Sequence, residues 1–400
     1  MIRKLILLML SPLWLAAEDW PQFRGPHHDG ISREKNWLTD WPEEGPKRLW
    51  EAQVGIGFSS VAVSNGRVYT LGHANGKDVL HCLDAGTGRA LWKHEWASDL
   101  GAKFYIGGPG STPTVHGGRI YVAGKWGEVI CLSANDGQVD VVWTRHLAKK
   151  EKVRVPTWGF NGSPLVLGDR LLLNAGAAGV ALDLKTGKTL WKSAEGEAGY
   201  ATPLPVQLGG QPHVIVSSGR AYAAVRVADG REAWSLRWFT RYGVNAADAI
   251  VDGDQVFVGS GYRKGCGLYK IGAELTEIWK NKNLSTQMNA AVKLGDYLYG
   301  FDGDSGGPGK LRCVSWKTGE VVWEQATGFG ALSVAAGRLL VLTGAGALMT
   351  APATPKGFTP TGRARVLDKD CWTAPVLANG LLYCRNSKGH LVCLDLRRGQ

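Results

Sequence analysis

Few residues in this chain have the types and spacing of a reaction centre. Asp302-Gly303-Asp304-Ser305-Gly306-Gly307 is an acidic, glycine-rich loop. Ca²⁺ takes hard oxygen ligands on such loops, but the remaining ligands of a helix-loop-helix calcium site do not follow. An ordinary turn is the simpler reading, and Asp302 and Asp304 stand only as weak metal candidates. His27-His28-Asp29 has the donor types of a metal site, but in a loop where histidines are usually just solvated. Lys125-Trp126 and Trp158-Gly159-Phe160 place aromatics in loops, where surface packing is the plain reading. No HExxH, nucleophile elbow or phosphate loop occurs. Catalytic residues are therefore left unassigned.

The elements that must position any site emerge from an internal repeat. Cys82-Leu83-Asp84-Ala85-Gly86-Thr87-Gly88-Arg89-Ala90-Leu91-Trp92 is matched by Ala181 to Trp191 and by Cys313 to Trp323. Ala224 to Trp234 is looser, Cys131 to Trp143 carries a two-residue insertion, and Tyr269 to Trp279 keeps only the spacing and the Trp. Trp50, Trp92, Trp143, Trp191, Trp234, Trp279 and Trp323 follow at intervals of 42, 51, 48, 43, 45 and 44 residues. Several short strands per period of about 45 residues mark a β-propeller blade. Thr-Gly suits a tight turn because Gly supplies φ > 0 without steric cost. A Trp at fixed offset can then pack between neighbouring sheets.

Two further copies, around Gly346–Thr350 and Gly389–Asp395, lack the closing Trp. The last lacks its fourth strand as well, whereas Lys47-Arg48-Leu49-Trp50 is a fourth strand with no preceding three. Ring closure solves both problems and removes the open sheet edges. The expected fold is all-β: one eight-bladed β-propeller of four-stranded antiparallel blades over 47–400, closed by the N-terminal strand at Trp50. Cys82, Cys131, Cys313 and Cys393 share one repeat position. Sheets about 10 Å apart hold them too far apart for disulfides, so they should be buried thiols.

The first strand of each blade lines the central channel, so the residues leading into it form a ring at one mouth. Aligning these starts selects Phe58, Asn161, Tyr200, Asn245, Asp248, Asn289 and Trp372 as ligand-binding candidates. They form a polar-aromatic ring suited to a planar or sugar-like ligand. Small residues at a crowded axis and Asn in turns would give much the same pattern without a ligand.

Composition agrees with this architecture. The 400 residues include 55 Gly, about twice the usual 7%. That frequency excludes a helical bundle, and the 44% hydrophobic content excludes disorder. The net charge of +11 comes from scattered basic residues, so nucleic-acid binding is not expected. Met1-Ile2-Arg3-Lys4 followed by the apolar run Leu5–Leu15 reads as a signal peptide over 1–17, too short for a membrane span. This predicts export to the periplasm or medium. Residues 18–46, with Trp20, Phe23, Trp37 and Trp41, should form no propeller strand and should pack across the ring as an extended arm.

The Ala/Cys-x-Asp-x-x-Thr-Gly-x-x-x-Trp turn resembles the tryptophan-docking motif of PQQ-like propellers. These include quinoprotein alcohol dehydrogenases and the propeller subunit of the outer-membrane protein assembly machine. Trp20-Pro21-Gln22-Phe23-Arg24-Gly25-Pro26 with Asp29-Gly30 is similar to the opening of exported planctomycete-type members. For the dehydrogenases the resemblance implies PQQ over the channel, a Glu/Asn/Asp set on Ca²⁺, a catalytic Asp, a Trp platform and often adjacent cysteines. This chain has no adjacent cysteines, and no Glu-Asn-Asp set is assignable by motif. The assembly subunit's lipid-anchoring Cys is not matched either. The preferred reading is a monomeric, non-catalytic scaffold that binds an envelope protein or polymer, with no cofactor assigned. The alternative is a divergent quinoprotein dehydrogenase holding PQQ and Ca²⁺ at the channel.

Overall fold

Residues 18–135 and 138–398 are described by a computed structural model. The expected signal peptide lies outside these residues, as does the tip of the inserted turn at 136–137. The repeats fold into eight sheets arranged as a β-propeller. Blades 1 to 7 run consecutively as 62–97, 114–146, 165–192, 204–237, 250–281, 292–326 and 330–365. Blade 8 takes three strands from 376–395, and its fourth is Arg48–Gln53, antiparallel to His390–Asp395. Ring closure by the N-terminal strand is thus realised.

The register explains the repeat. In the seven blades with a closing Trp, that residue pairs with a small or apolar partner next to a β-bulge: Cys82↔Trp92, Cys131↔Trp143, Ala181↔Trp191, Ala224↔Trp234, Leu268↔Trp279, Cys313↔Trp323 and Cys393↔Trp50. A bulge re-aims a side chain, here the indole, toward the next blade. The fifth blade corrects the sequence alignment. Leu268, not Tyr269, faces Trp279, so this copy is one residue longer than its neighbours.

Five of these indoles, those of Trp50, Trp143, Trp191, Trp279 and Trp323, hydrogen-bond a backbone carbonyl of the following blade. Trp50 Nε1 donates to Ala85 O at 2.9 Å and Trp143 Nε1 to Leu184 O at 3.2 Å. Trp191 and Trp279 repeat the contact on Val227 O and Trp316 O, each at 2.8 Å. The turn glycine lies beneath the ring. Gly88 has φ +70°, and a Cβ there would come within 2.5 Å of Trp50. Both constraints demand glycine. The turn carboxylate serves as expected: Asp84 Oδ1 accepts from the Gly86 and Thr87 amides and the Thr87 hydroxyl. All seven cysteines are free and buried.

The N-terminal arm differs from expectation. Ile31–Ser32 is a strand, parallel to the innermost strand of blade 7, which makes that sheet five-stranded. Trp20 bridges antiparallel to Val63 on the innermost strand of blade 1, and Val115 N donates to Pro21 O on blade 2. The arm therefore runs along the channel toward one mouth, turns over Phe23–Asp29, and returns. Beyond it, Trp37 and Trp41 pack with Ala364, Leu382 and Leu394 between blades 7 and 8. A Cβ on Gly362 would meet the Trp41 ring at 2.6 Å. These two residues fill the gap left by the missing closing Trp of blade 7.

Candidate functional site

The channel mouth is a cavity of about 270 Å³, and its lining begins with the arm. Phe23 reaches it from the tip of the turn. Phe58, Asn161, Tyr200, Asp248, Asn289 and Trp372 line it, as do Tyr105, Trp158, Tyr262 and Gln287. Six of the seven ring positions selected from the sequence are therefore brought together. Asn245 is the exception. It is fully buried, with Nδ2 donating to Ser218 O and Trp238 O and Oδ1 accepting from the Ser260 hydroxyl. Its amide secures the loop between blades 4 and 5 and does not line the cavity.

The wall is rich in aromatic rings. Phe58 stacks on Trp372 at 4.7 Å and 28°, and Tyr105 lies 5.6 Å from Phe58. Trp158 meets Tyr200 edge-on at 5.8 Å. Such pairs hold one another in place while leaving faces open to a planar guest. The amides are largely engaged within the protein. Asn161 Nδ2 donates to Trp158 O and Gly159 O, and Asn289 Nδ2 donates to Trp372 O at 2.9 Å. Lys125 is buried rather than packed on the surface. Its Nζ donates to the Tyr105 hydroxyl at 2.6 Å and to Leu100 O, and burial lowers its pKa to about 8. Burial likewise pushes the Tyr105 hydroxyl up to about 12.

Among the described residues, Asp248 is the carboxylate of this wall. Its Oδ1 accepts from Thr202 N at 2.8 Å, and Oδ2 lies 3.9 Å from Arg24 Nε. Burial raises its pKa to about 6, partly offset by Arg24. Arg24 is itself buried and also donates to Asp29 O and Ala291 O, which ties the arm to blade 6. His28 is part of the same tight turn, beside Gln22, and burial lowers its pKa to about 4. Asp29 accepts from Ile31 N and pairs with Arg33. Residues 27–29 thus shape the arm.

Asp302 and Asp304 are likewise engaged. Asp302 Oδ2 pairs with Arg312 at 2.8 Å and its Oδ1 accepts from Ser285 N; Asp304 Oδ1 accepts from Tyr262 N. A Ca²⁺-bound quinone needs several hard oxygens converging at the mouth. Here one carboxylate faces the cavity, and an arginine from the arm answers it. No group of three His, Cys, Asp or Glu side chains among the described residues could hold a metal ion. This donor set does not fit PQQ with Ca²⁺. Sequence reasoning missed Phe23, Arg24, Tyr105, Tyr262 and Gln287. Only the conspicuous aromatics of the arm hinted at any of them.

The sequence matches the family model described as outer membrane protein assembly factor BamB, over residues 34–152 and 76–325. The chain belongs to this family. It is 27% identical over 315 residues to the outer membrane protein assembly factor BamB of Burkholderia pseudomallei, covering 65% of this chain and 77% of that one. The structure resembles BamB from Moraxella catarrhalis with a TM-score of 0.63 at 14% identity, covering 88% of this chain and 100% of that one. It also resembles the quinohemoprotein alcohol dehydrogenase from Comamonas testosteroni, with a TM-score of 0.67 at 13% identity, covering 96% and 82%. At these identities the two structures speak for the fold alone. The family shares one scaffold with enzymes, so function has to be argued from the site.

Proposed function

We propose that this chain is an exported, non-catalytic propeller that scaffolds an envelope partner engaged in outer-membrane protein assembly. Family membership supports the process. The observation that carries the non-catalytic reading is the mouth itself. Among the described residues its one wall carboxylate, Asp248, is answered by Arg24 from the chain's own arm, and the rest of the wall is made of aromatic, amide, hydroxyl and small apolar side chains with Lys103. Such a surface suits binding and orienting a guest, and its carboxylate is held by an arginine rather than set against a second acid or base. No helix among the described residues is long and apolar enough to cross a membrane. The partner, on this reading, is met at the propeller's loop face.

Deleting the gene in its own cell tests the proposal. The outer-membrane complement of β-barrel proteins should fall, and the full-length chain supplied in trans should restore it. Unchanged barrel levels would overturn the assembly role. Dye-linked alcohol oxidation by the purified chain with PQQ and Ca²⁺ would overturn the non-catalytic reading.

A further inference from the structure

The mouth keeps hydrogen-bonding capacity that the protein itself does not use. Tyr105 and Tyr262 stand on different loops of its wall. The Lys125 ammonium lies 2.6 Å from the Tyr105 hydroxyl and has only protons to give, so the phenol oxygen accepts. Ser305 N donates to Gln287 Oε1, which turns the nitrogen of that amide toward Tyr262. Gln287 Nε2 then donates to the Tyr262 hydroxyl at 3.0 Å. Each phenol therefore accepts, and neither donates its own proton to a group among the described residues.

The asparagines show the converse. Asn161 Nδ2 donates to the carbonyls of Trp158 and Gly159, and Asn289 Nδ2 to those of Gly330 and Trp372. These donations fix which end of each amide is oxygen. Neither Oδ1 accepts a hydrogen bond among the described residues. Gly110 on the same wall makes room for one of them: a Cβ there would come within 2.2 Å of Asn161 Oδ1.

Ring faces lie among these polar atoms. Phe58, Trp158 and Trp372 supply them from the wall, and Phe104 adds one from the rim. Phe104 is 89% exposed and held at φ +64°, a left-handed conformation that is rare for a bulky side chain. Charge is close to balanced, because Asp248 is answered by Arg24 and exposed Lys103 is the remaining cation. An organic cation would meet Lys103 and Arg24, and an organic acid would meet Asp248. A flat aromatic guest would cover the rings but bury phenol protons and amide oxygens unpaired, which is costly. A pyranose satisfies both sets of groups. Its C–H faces pack on rings, and each hydroxyl around its edge both donates and accepts. At about 270 Å³ the cavity is just below the range of about 300–1,000 Å³ that encloses drug-sized ligands, which suits one sugar ring.

We propose that the channel mouth holds one neutral pyranose ring, as a free sugar or as the end of a glycan. The ring packs against the aromatic faces, accepts from Tyr105 and Tyr262, and donates to Asn161 Oδ1 and Asn289 Oδ1. No bond is made or broken there. The site adds a small ligand to the scaffold and does not rest on the assembly role.

Titration calorimetry on the full-length chain with glucose, cellobiose and N,N′-diacetylchitobiose tests the proposal. A saturable isotherm of one sugar per chain is expected, little changed between about 50 mM and about 0.5 M salt because no charge pairs with the ligand. Tyr262→Phe keeps the ring, removes the hydroxyl and should weaken binding by about tenfold. Phe104→Ala should weaken it by about threefold or more with an unchanged melting temperature, since this ring is exposed. Phe239→Ala removes an exposed ring outside the cavity and should leave binding intact. Tighter binding of the disaccharides than of glucose identifies a chain end as the source, and equal binding a free sugar; both sustain the site. Three results overturn it: no isotherm with any of the sugars, affinities of Tyr262→Phe and Phe104→Ala equal to the parent's, or tighter binding of tetramethylammonium or benzoate than of the sugars. Because the assay needs no cellular partner, its failure leaves the assembly role standing, and normal barrel levels in the deletion strain would leave the sugar site standing.

Discussion

Two closing tryptophans should respond differently to the same substitution. Trp143 and Trp234 are 8% and 6% exposed, both in mid-ring. Trp143 lies over Gly187 and donates to Leu184 O. Trp234 packs with Ile271 and Leu275 at the tighter, altered turn of blade 5, and its buried Nε1 finds no partner among the described residues. Replacement by Phe removes similar ring area at each site, at a cost of about 1 kcal/mol. At Trp143 it also removes a hydrogen bond worth about 1 kcal/mol and leaves a carbonyl unpaired. At Trp234 it removes an orphaned N–H whose burial costs about 1 kcal/mol or more. Trp143→Phe should therefore destabilise by about 2 kcal/mol, and Trp234→Phe should be close to neutral. Urea unfolding followed by far-UV circular dichroism reads both midpoints against the parent. Equal losses at the two sites would refute the claim that the indole–turn hydrogen bond, beyond ring packing, holds adjacent blades.

Three other outcomes follow from the same geometry. Gly187→Ala, at φ +67° with a Cβ 2.5 Å from the Trp143 ring, should cost about 2 kcal/mol or more in denaturant unfolding; Gly168→Ala, with open space around its Cβ, should cost less. Trp37→Ala should destabilise by about 3–5 kcal/mol, because this fully buried ring helps fill the gap between blades 7 and 8; a melting temperature equal to the parent's would rule out that role. Asp248 sets a pH dependence. Its folded pKa, about 6, is above the ordinary 3.8, so its stabilising effect is full below pH 3.8 and is lost as pH rises through about 6. Asp248→Asn cannot titrate, so its stability relative to the parent should rise by about 2 kcal/mol between pH 4 and pH 7, and a flat difference would contradict the buried state of this carboxyl.

Most of the ring was legible before any coordinates. A blade is built from contacts within about 45 residues, and its turn chemistry repeats locally, so Asp84, Gly88 and Trp50 mark their own positions. The ring of mouth residues was legible for the same reason, since each lies at a constant offset before a strand. Asn245 shared that offset but spends its amide on Ser218 and Trp238, contacts that no spacing reveals. The extra residue beside Leu268 was hidden because the Trp alone kept the period.

The sequence by itself determined the blade, the number of copies and the closure at Trp50, because strand pairing and turn geometry depend on near neighbours. Tertiary structure alone decided where the arm goes. Residues 18–46 carry no period, and their partners are Val63, Val115, Asp248, Ala291 and Val334, scattered across five blades. Their place becomes defined only once the ring exists, when the channel offers unpaired edges of innermost strands and a gap between blades 7 and 8 large enough for two indoles.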